Sequence, residues 1–199
     1  MFIAHRGVSG AKFENKVEHI LVACRAIGAV EIDIRYNSNK ELVLCHDHCN
    51  RDSKNVDKFK DIVDVKEPLT IFLDMKPFGY IEAVDMADEV CAIVRASHHN
   101  WKLCSFDQRC VDRMLENAPG CPIGFISSGI TDYTLGVDRL DFLSMDHDAL
   151  DDEDIRTIKD RGLELYLWVT EPDRTYLNVD GLVRNYVYED LRNIGVNRI

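Results

Sequence analysis

Short apolar runs and helix-period segments alternate from one end of this chain to the other. The runs at residues 2–5, 29–35, 70–76, 102–106, 122–126, 141–144, 163–169 and 180–183 read as strands. Segments 15–27, 81–96, 108–117 and 149–161 read as helices. In the second of these Ala83, Ala87, Val90 and Val94 recur at helical spacing, and Gly162 follows the last at a C-cap position. Strand–helix repetition predicts a parallel sheet covered by helices. Eight strands predict closure into a compact (β/α)8 TIM barrel, one α/β domain over residues 1–199. With 199 residues, the chain is at the short end for that fold, roughly 200, so some connecting helices must be trimmed. Residues 127–139 are the weakest helical stretch and read as a loop. A further run at 42–45 follows the polar turn Asn37-Ser38-Asn39. It predicts a small hairpin arm that carries His46 back toward the strand ends.

Strand alternation then sorts the side chains. Within 29–35, Val30, Ile32 and Ile34 share one face, while Glu31, Asp33 and Arg35 share the other. The split recurs in 70–76, with Ile71, Leu73 and Met75 opposite Phe72, Asp74 and Lys76. Acids on the inner face of a buried strand carry a large desolvation cost unless a cation compensates. One hard divalent cation held by Glu31, Asp33 and Asp74 is the stronger reading. Internal salt bridging among these acids, Arg35 and Lys76 is the alternative, and for Arg35 a structural partnership is the better account. All-oxygen ligands predict Mg²⁺ or Ca²⁺ over Zn²⁺.

His5 closes the first strand and runs into Arg6-Gly7, and His46-Asp47 ends the hairpin arm. Two histidines at one rim suit proton transfer near neutrality, and Arg6 and Lys76 suit phosphate binding. Trp168 shares a face with Tyr166 and Thr170. It is expected either to wall the pocket or to pack in the barrel core. His147, after the sixth strand, is a weaker candidate for the rim. His19, His48, His98 and His99 read as structural. The combination points to phosphodiester chemistry.

Charge and cysteine content narrow the partners. A net charge of -11 repels nucleic acid and anionic membrane surface. An acidic chain acting on a phosphate ester therefore needs a local cation. Seven cysteines without CxxC pairs read as reduced thiols in a cytoplasmic setting. Met1-Phe2-Ile3-Ala4 runs straight into His5, so no secretory leader is expected. No apolar stretch approaches the roughly 18 residues of a membrane span, so no stable membrane insertion is expected.

The motifs resemble, in order along the chain, those of the glycerophosphodiester phosphodiesterase family of phospholipase C-like barrels. They are Ile3-Ala4-His5-Arg6-Gly7, Glu14-Asn15, Glu31-Ile32-Asp33, His46-Asp47 and Leu73-Asp74-Met75-Lys76-Pro77. Ser105-Phe106-Asp107, Leu167-Trp168-Val169-Thr170-Glu171-Pro172 and Val179-Asp180-Gly181-Leu182 resemble the later strand motifs. The resemblance implies a (β/α)8 barrel and metal-dependent hydrolysis of a glycerophosphodiester or related lysophospholipid to a phosphomonoester and an alcohol. It makes His5 and His46 the acid–base pair, Glu31 and Asp33 the metal pair, and Arg6 and Lys76 phosphate contacts, beside which Trp168, from its strand face, would wall the substrate. In that family the substrate's own hydroxyl can attack first, giving a cyclic phosphate.

Three departures stand out. Asp74 replaces a glutamate, Thr170 an asparagine, and Arg184-Asn185-Tyr186 a threonine-aspartate-tyrosine run. The resemblance implies that the last two touch the substrate side only. Residues 47–68 are too few for the lid subdomain of bacterial relatives, which predicts an open pocket and weak glycerol selectivity. Two alternatives are carried. One is a sphingomyelinase D-like enzyme that stops at a cyclic phosphate. The other is a catalytically degenerate barrel that binds a phosphodiester.

Overall fold

The computed structural model describes residues 1–10, 12–47, 56–171 and 174–196. His48 and Pro172, named above, lie outside them, as does one of the seven cysteines, Cys49. Among the described residues nine strands form: β1 (Phe2–His5), β2 (Val30–Tyr36), β3 (Leu42–Leu44), β4 (Thr70–Met75), β5 (Asn100–Ser105), β6 (Ile123–Ser127), β7 (Phe142–Asp146), β8 (Glu164–Trp168) and β9 (Gly181–Arg184). All but β3 pair in parallel in the order β1-β9-β8-β7-β6-β5-β4-β2, and β1 also pairs with β2, which closes a barrel of eight strands. The (β/α)8 expectation holds. β3 pairs antiparallel with the end of β2, Ile34 opposite Leu44, and is the predicted hairpin arm.

The helices are α1 (Val17–Ile27), α2 (Phe59–Val63), α3 (Gly79–Ala96), α4 (Gln108–Asn117), α5 (Asp132–Gly136), α6 (Asp152–Asp160) and α7 (Tyr188–Val196). Trimming falls where the pattern was weakest. Between β6 and β7 only the five-residue α5 forms, and no helix stands between β8 and β9 among the described residues. Three helices escaped the sequence reading: α2 and α5 are five residues each, and α7 offers only Leu191, Ile194 and Val196 as aliphatic positions.

Period-two alternation gives two cores. Ala4, Ile32, Leu73, Leu103 and Leu165 face outward under the helices, with Met86, Val90 and Met114 from α3 and α4. Ile3, Phe72, Phe142, Tyr166 and Val183 fill the barrel. The aromatic plug fits because two strand positions are glycine. A Cβ at Gly124 would lie 2.3 Å from the Phe142 ring, and one at Gly181 2.6 Å from Tyr166. The expectation of thiols throughout fails at Cys45, which is disulfide-bonded. Cys24, Cys91, Cys104, Cys110 and Cys121 are free. The cysteine argument for a reducing compartment therefore loses its basis. No described helix is long and apolar enough to cross a membrane.

Candidate active site

Strand register builds the site. Parallel pairing sets His5 beside Glu31 and Asp33 beside Asp74. With neighbouring strands about 4.8 Å apart, four functional side chains meet at the C-terminal end of the barrel. Glu31, Asp33 and Asp74 are buried, at 9%, 1% and 5% exposure. Their carboxylate oxygens come within 4.8 Å of one another. Together with His5, Arg6, His46, Lys76, Phe106 and Trp168 they line a cavity of about 170 Å³. Of the residues expected at the site, all but the weaker candidate His147 are brought to this one place.

The chain leaves β1 through two left-handed residues, Arg6 at φ 54° and Gly7 at φ 79°. The turn aims the Arg6 N–H at Glu31 Oε2, 3.1 Å away. Gly7 is required twice over: a Cβ there would also sit 3.1 Å from the Ile20 backbone nitrogen of α1. For a non-glycine residue such as Arg6 this conformation costs about 1–3 kcal/mol and is typical of functional sites. Asn15, also left-handed at φ 54°, locks Asp33. Its amide donates to Asp33 Oδ2 at 2.8 Å, and its carbonyl accepts from the Asp33 N–H at 3.0 Å.

The charges do not balance. Lys76 Nζ reaches Asp74 Oδ2 at 2.6 Å and Asp33 Oδ1 at 3.2 Å. Arg6 reaches Glu14 at 3.0 Å, and its Nε lies 3.2 Å from Asp33 Oδ2 without the alignment of a hydrogen bond. Burial alone would lower the Lys76 pKa, but Asp74 and Asp33 overcome it and push the ammonium up to about 12. Burial, then Asp33 and Asp74, holds the Glu31 carboxyl well above the usual range. Burial, opposed by Lys76 and reinforced by Asp33, pushes Asp74 up to about 6. Asp74 Oδ1 is buried with no hydrogen-bond partner. A buried acceptor without a donor costs roughly 1–3 kcal/mol, and a hard cation among three carboxylates removes that cost. The donor set fits a divalent ion. The internal salt-bridging alternative accounts for Lys76, Asp33 and one oxygen of Asp74, and leaves the other oxygen and Glu31 unanswered.

The two histidines are held differently. His5 Nδ1 lies 2.8 Å from the side-chain oxygen of Asn185. With that oxygen accepting, Nδ1 carries the proton and Nε2 is bare, 3.8 Å from Glu31 Oε2. Burial pushes the His5 pKa down, against the Asn185 bond. His46 is 38% exposed and pairs with Asp47 at 2.9 Å. Arg35 Nε donates to the His46 carbonyl at 2.6 Å, so the residue read as structural holds the arm that presents His46.

Trp168 lines the cavity while packing on the inner core, edge to face with Phe106 at 5.7 Å. Wall and core packing are here one role. His147 does not line the cavity; it sits behind Trp168, 3.4 Å from the tryptophan carbonyl. Thr170 Oγ1 donates to the Val183 carbonyl at 3.2 Å and accepts from Arg184. Asn185 was expected among the substrate contacts, but it contacts His5 instead. Phe106 was missed as a lining residue; its place one step past β5 was the available signal.

The same fold recurs among solved structures. An Oleispira antarctica phosphodiesterase, solved in complex with the product sn-glycerol-3-phosphate, superposes with TM-score 0.82 at 16% identity, over 97% of this chain and 95% of its own. A candidate glycerophosphoryl diester phosphodiesterase from Silicibacter pomeroyi gives 0.78 at 18% identity, over 99% and 93%. A glycerophosphodiester phosphodiesterase from Thermotoga maritima gives 0.72 at 18%, over 96% and 97%. No family model matches the sequence, and no curated protein matches it. At these identities the likeness establishes the barrel that the motifs implied.

Proposed function

We propose that this chain is a single-domain, metal-dependent phosphodiesterase that hydrolyses glycerophosphodiesters or related lysophospholipids to a phosphomonoester and an alcohol. The observation that carries the reading is the excess of buried acid at the cavity floor, with Asp74 Oδ1 unpartnered beside Lys76, Arg6 and two histidines. Glu31, Asp33 and Asp74 would hold one Mg²⁺ or Ca²⁺. Once bound, the ion neutralises phosphate oxygens and makes phosphorus more electrophilic.

The protein groups divide the remaining work. Arg6 and Lys76 bind the non-bridging oxygens, Lys76 as a point charge and Arg6 through its directional N–H groups. His5, kept neutral by burial, takes the proton of the attacking hydroxyl on Nε2. A new P–O bond forms as the bond to the leaving alcohol breaks, and His46 gives that oxygen its proton. Where the attacking hydroxyl is the substrate's own, water then opens the cyclic phosphate, His46 taking the water's proton and His5 returning its proton to the ring oxygen released. Asn185 fixes the His5 ring without adding a negative charge behind it. Phe106 and Trp168 offer an apolar wall, which suits a bulky group beside the phosphate. A small-molecule substrate is implied by the cavity size.

The cyclising alternative would use the same cavity and differ from the hydrolase only in its end product. Turnover of glycerophosphocholine with Mg²⁺ or Ca²⁺, followed by phosphorus NMR, tests both. A phosphomonoester that disappears with chelator supports the hydrolase. A cyclic phosphate as the end product moves the assignment to the cyclising reaction. No turnover with either ion defeats the enzymatic reading.

A further inference from the structure

Exposed apolar side chains are not spread evenly over this barrel. Phe13, Phe78, Tyr80, Ile81, Phe106, Val187 and Tyr188 follow the C-terminal ends of strands, on the rim that carries the cavity, while Met1 and Phe2 sit at the opposite end and Leu177 lies in the connection between β8 and β9. The densest group lies where β4 passes into α3. Phe78 is 74% exposed, Tyr80 64% and Ile81 75%. Single exposed apolar residues need no explanation, but three within four positions make a patch.

The patch is built rather than frayed. The Phe78 N–H donates to Glu82, which fixes the entry to α3. α3 turns Ala83, Met86, Ala87 and Val90 inward, so its first turn projects beyond the barrel. The Arg109 guanidinium lies 5.9 Å from the centre of the Tyr80 ring and pairs with Asp107, joining this turn to the loop after β5. That loop carries Phe106, which is 46% exposed and also lines the cavity, with Lys76 Nζ 5.4 Å from its ring. A shelf thus runs from the phosphate-binding groups out to solvent, apolar at Phe106 and at Phe78, Tyr80 and Ile81, and bridged between them by the Arg109–Asp107 pair.

We propose that this shelf seats the cavity mouth on a zwitterionic lipid surface, so that a phosphodiester headgroup enters while its hydrocarbon stays in the aggregate. The inference rests on the phosphodiesterase reading and adds how the substrate is presented. Charge selects the surface. The chain carries -11, and the exposed Asp85 follows the patch along α3, while Glu82 is engaged by the Phe78 N–H and Lys40, and Glu89 by Tyr36. An anionic surface is repelled by this net charge, whereas a zwitterionic choline-type surface is not, and its ammonium groups complement Asp85. Interfacial anchoring by exposed Tyr, Phe and Ile needs no spanning helix.

Co-sedimentation with phosphatidylcholine vesicles tests the proposal without turnover. The wild-type chain is expected to partition onto them with little salt dependence. Ile81→Ser and Tyr80→Ser should each lower partition by roughly tenfold, with unchanged melting and with turnover of water-soluble glycerophosphocholine within twofold. Lysophosphatidylcholine turnover should rise sharply above its micelle concentration in the wild type and less in the variants. Equal partition of wild type and variants, or a rise in lysophosphatidylcholine turnover that ignores micelle formation, overturns the docking role. So does binding confined to anionic vesicles and reversed by salt. Self-association abolished by Ile81→Ser would assign the patch to a protein interface and likewise overturn it. Vesicle binding without glycerophosphocholine turnover would sink the phosphodiesterase reading alone.

Discussion

At the N-terminal end of the barrel interior, Lys102 meets Glu164 at 2.5 Å, and Tyr166 donates to the same carboxylate at 2.6 Å. The ammonium also lies 5.4 to 5.9 Å from the ring centres of Phe72, Phe142 and Tyr166. At the C-terminal end, Glu31, Asp33, Asp74 and Glu14 face Arg6 and Lys76, with His5 pushed toward its neutral form. The lower cluster pairs one cation with one anion and covers the cation with ring faces. The upper cluster holds more acid than base and leaves a buried oxygen unpartnered. Both cost desolvation energy. Only the upper one is incomplete as it stands, and incompleteness is what a site awaiting a cation and a phosphate looks like.

The largest expected effect comes from removing one acid above. Glu31→Gln should lower metal-dependent turnover by about 10³-fold, the several kcal/mol that a bound cation contributes to charge stabilisation. The metal-free protein should melt no lower, because one of three crowded carboxylates has become neutral. Turnover and thermal melts of the chelated protein check both halves. Full activity in chelator would break the contrast between the layers.

His5→Ala and His46→Ala come next, each lowering kcat by roughly 10²-fold or more, with a smaller change in KM. Phosphate is held mainly by the cation site, Arg6 and Lys76, so binding should survive. Near-native turnover in either variant would remove that histidine from the reaction.

The lower layer should respond the opposite way. Gly124→Ala places a Cβ 2.3 Å from the Phe142 ring and should cost about 1–3 kcal/mol through overpacking, with turnover unchanged at temperatures where the barrel stays folded. A denaturant melt and a kcat measurement on the same sample separate the two layers. If Gly124→Ala were the variant that lost turnover at full stability, the division of labour would be wrong.

These contrasts were legible in the sequence to different depths. The strand count, the faces of β2 and β4 and the convergence of Glu31, Asp33, Asp74, His5 and His46 follow from period-two alternation, which local residues dictate. The hairpin arm at β3 followed from its polar turn. Long-range partners were not legible. Nothing near Asn185 indicates that it meets His5, which lies at the other end of the chain. Its replacement of the family's aspartate was read as a substrate-side change, but its side chain meets His5. The disulfide at Cys45 was hidden for a similar reason, since spacing alone does not distinguish a bonded cysteine from a thiol. The glycines at 124 and 181 looked like weak points in strands; their reason, an aromatic plug from three other strands, exists only in the closed barrel.

The smallest effect concerns a buried base outside both layers. His99 is 6% exposed. Its Nδ1 accepts from the Leu69 N–H at 3.2 Å, and its Nε2 lies 3.0 Å from the Ile62 carbonyl, to which it donates. Both ring nitrogens are used only by the neutral form, and burial holds the His99 pKa below its ordinary value. The unfolded chain therefore binds a proton more readily than the folded one. Its contribution to stability is intact above pH 6.5 and declines as pH falls from there toward the folded pKa. One such group accounts for at most about 1.4 kcal/mol per pH unit. Glutamine can accept and donate at the same two positions without titrating, so His99→Gln should melt with a shallower loss between pH 7 and pH 5 than the wild type. The buried acids of the upper layer push the other way in this window. Their raised pKa values make the folded chain bind protons more readily as pH falls, and they do so equally in both proteins. The difference between the two melting curves therefore reports His99 alone, and parallel curves would show that its burial is not coupled to a proton.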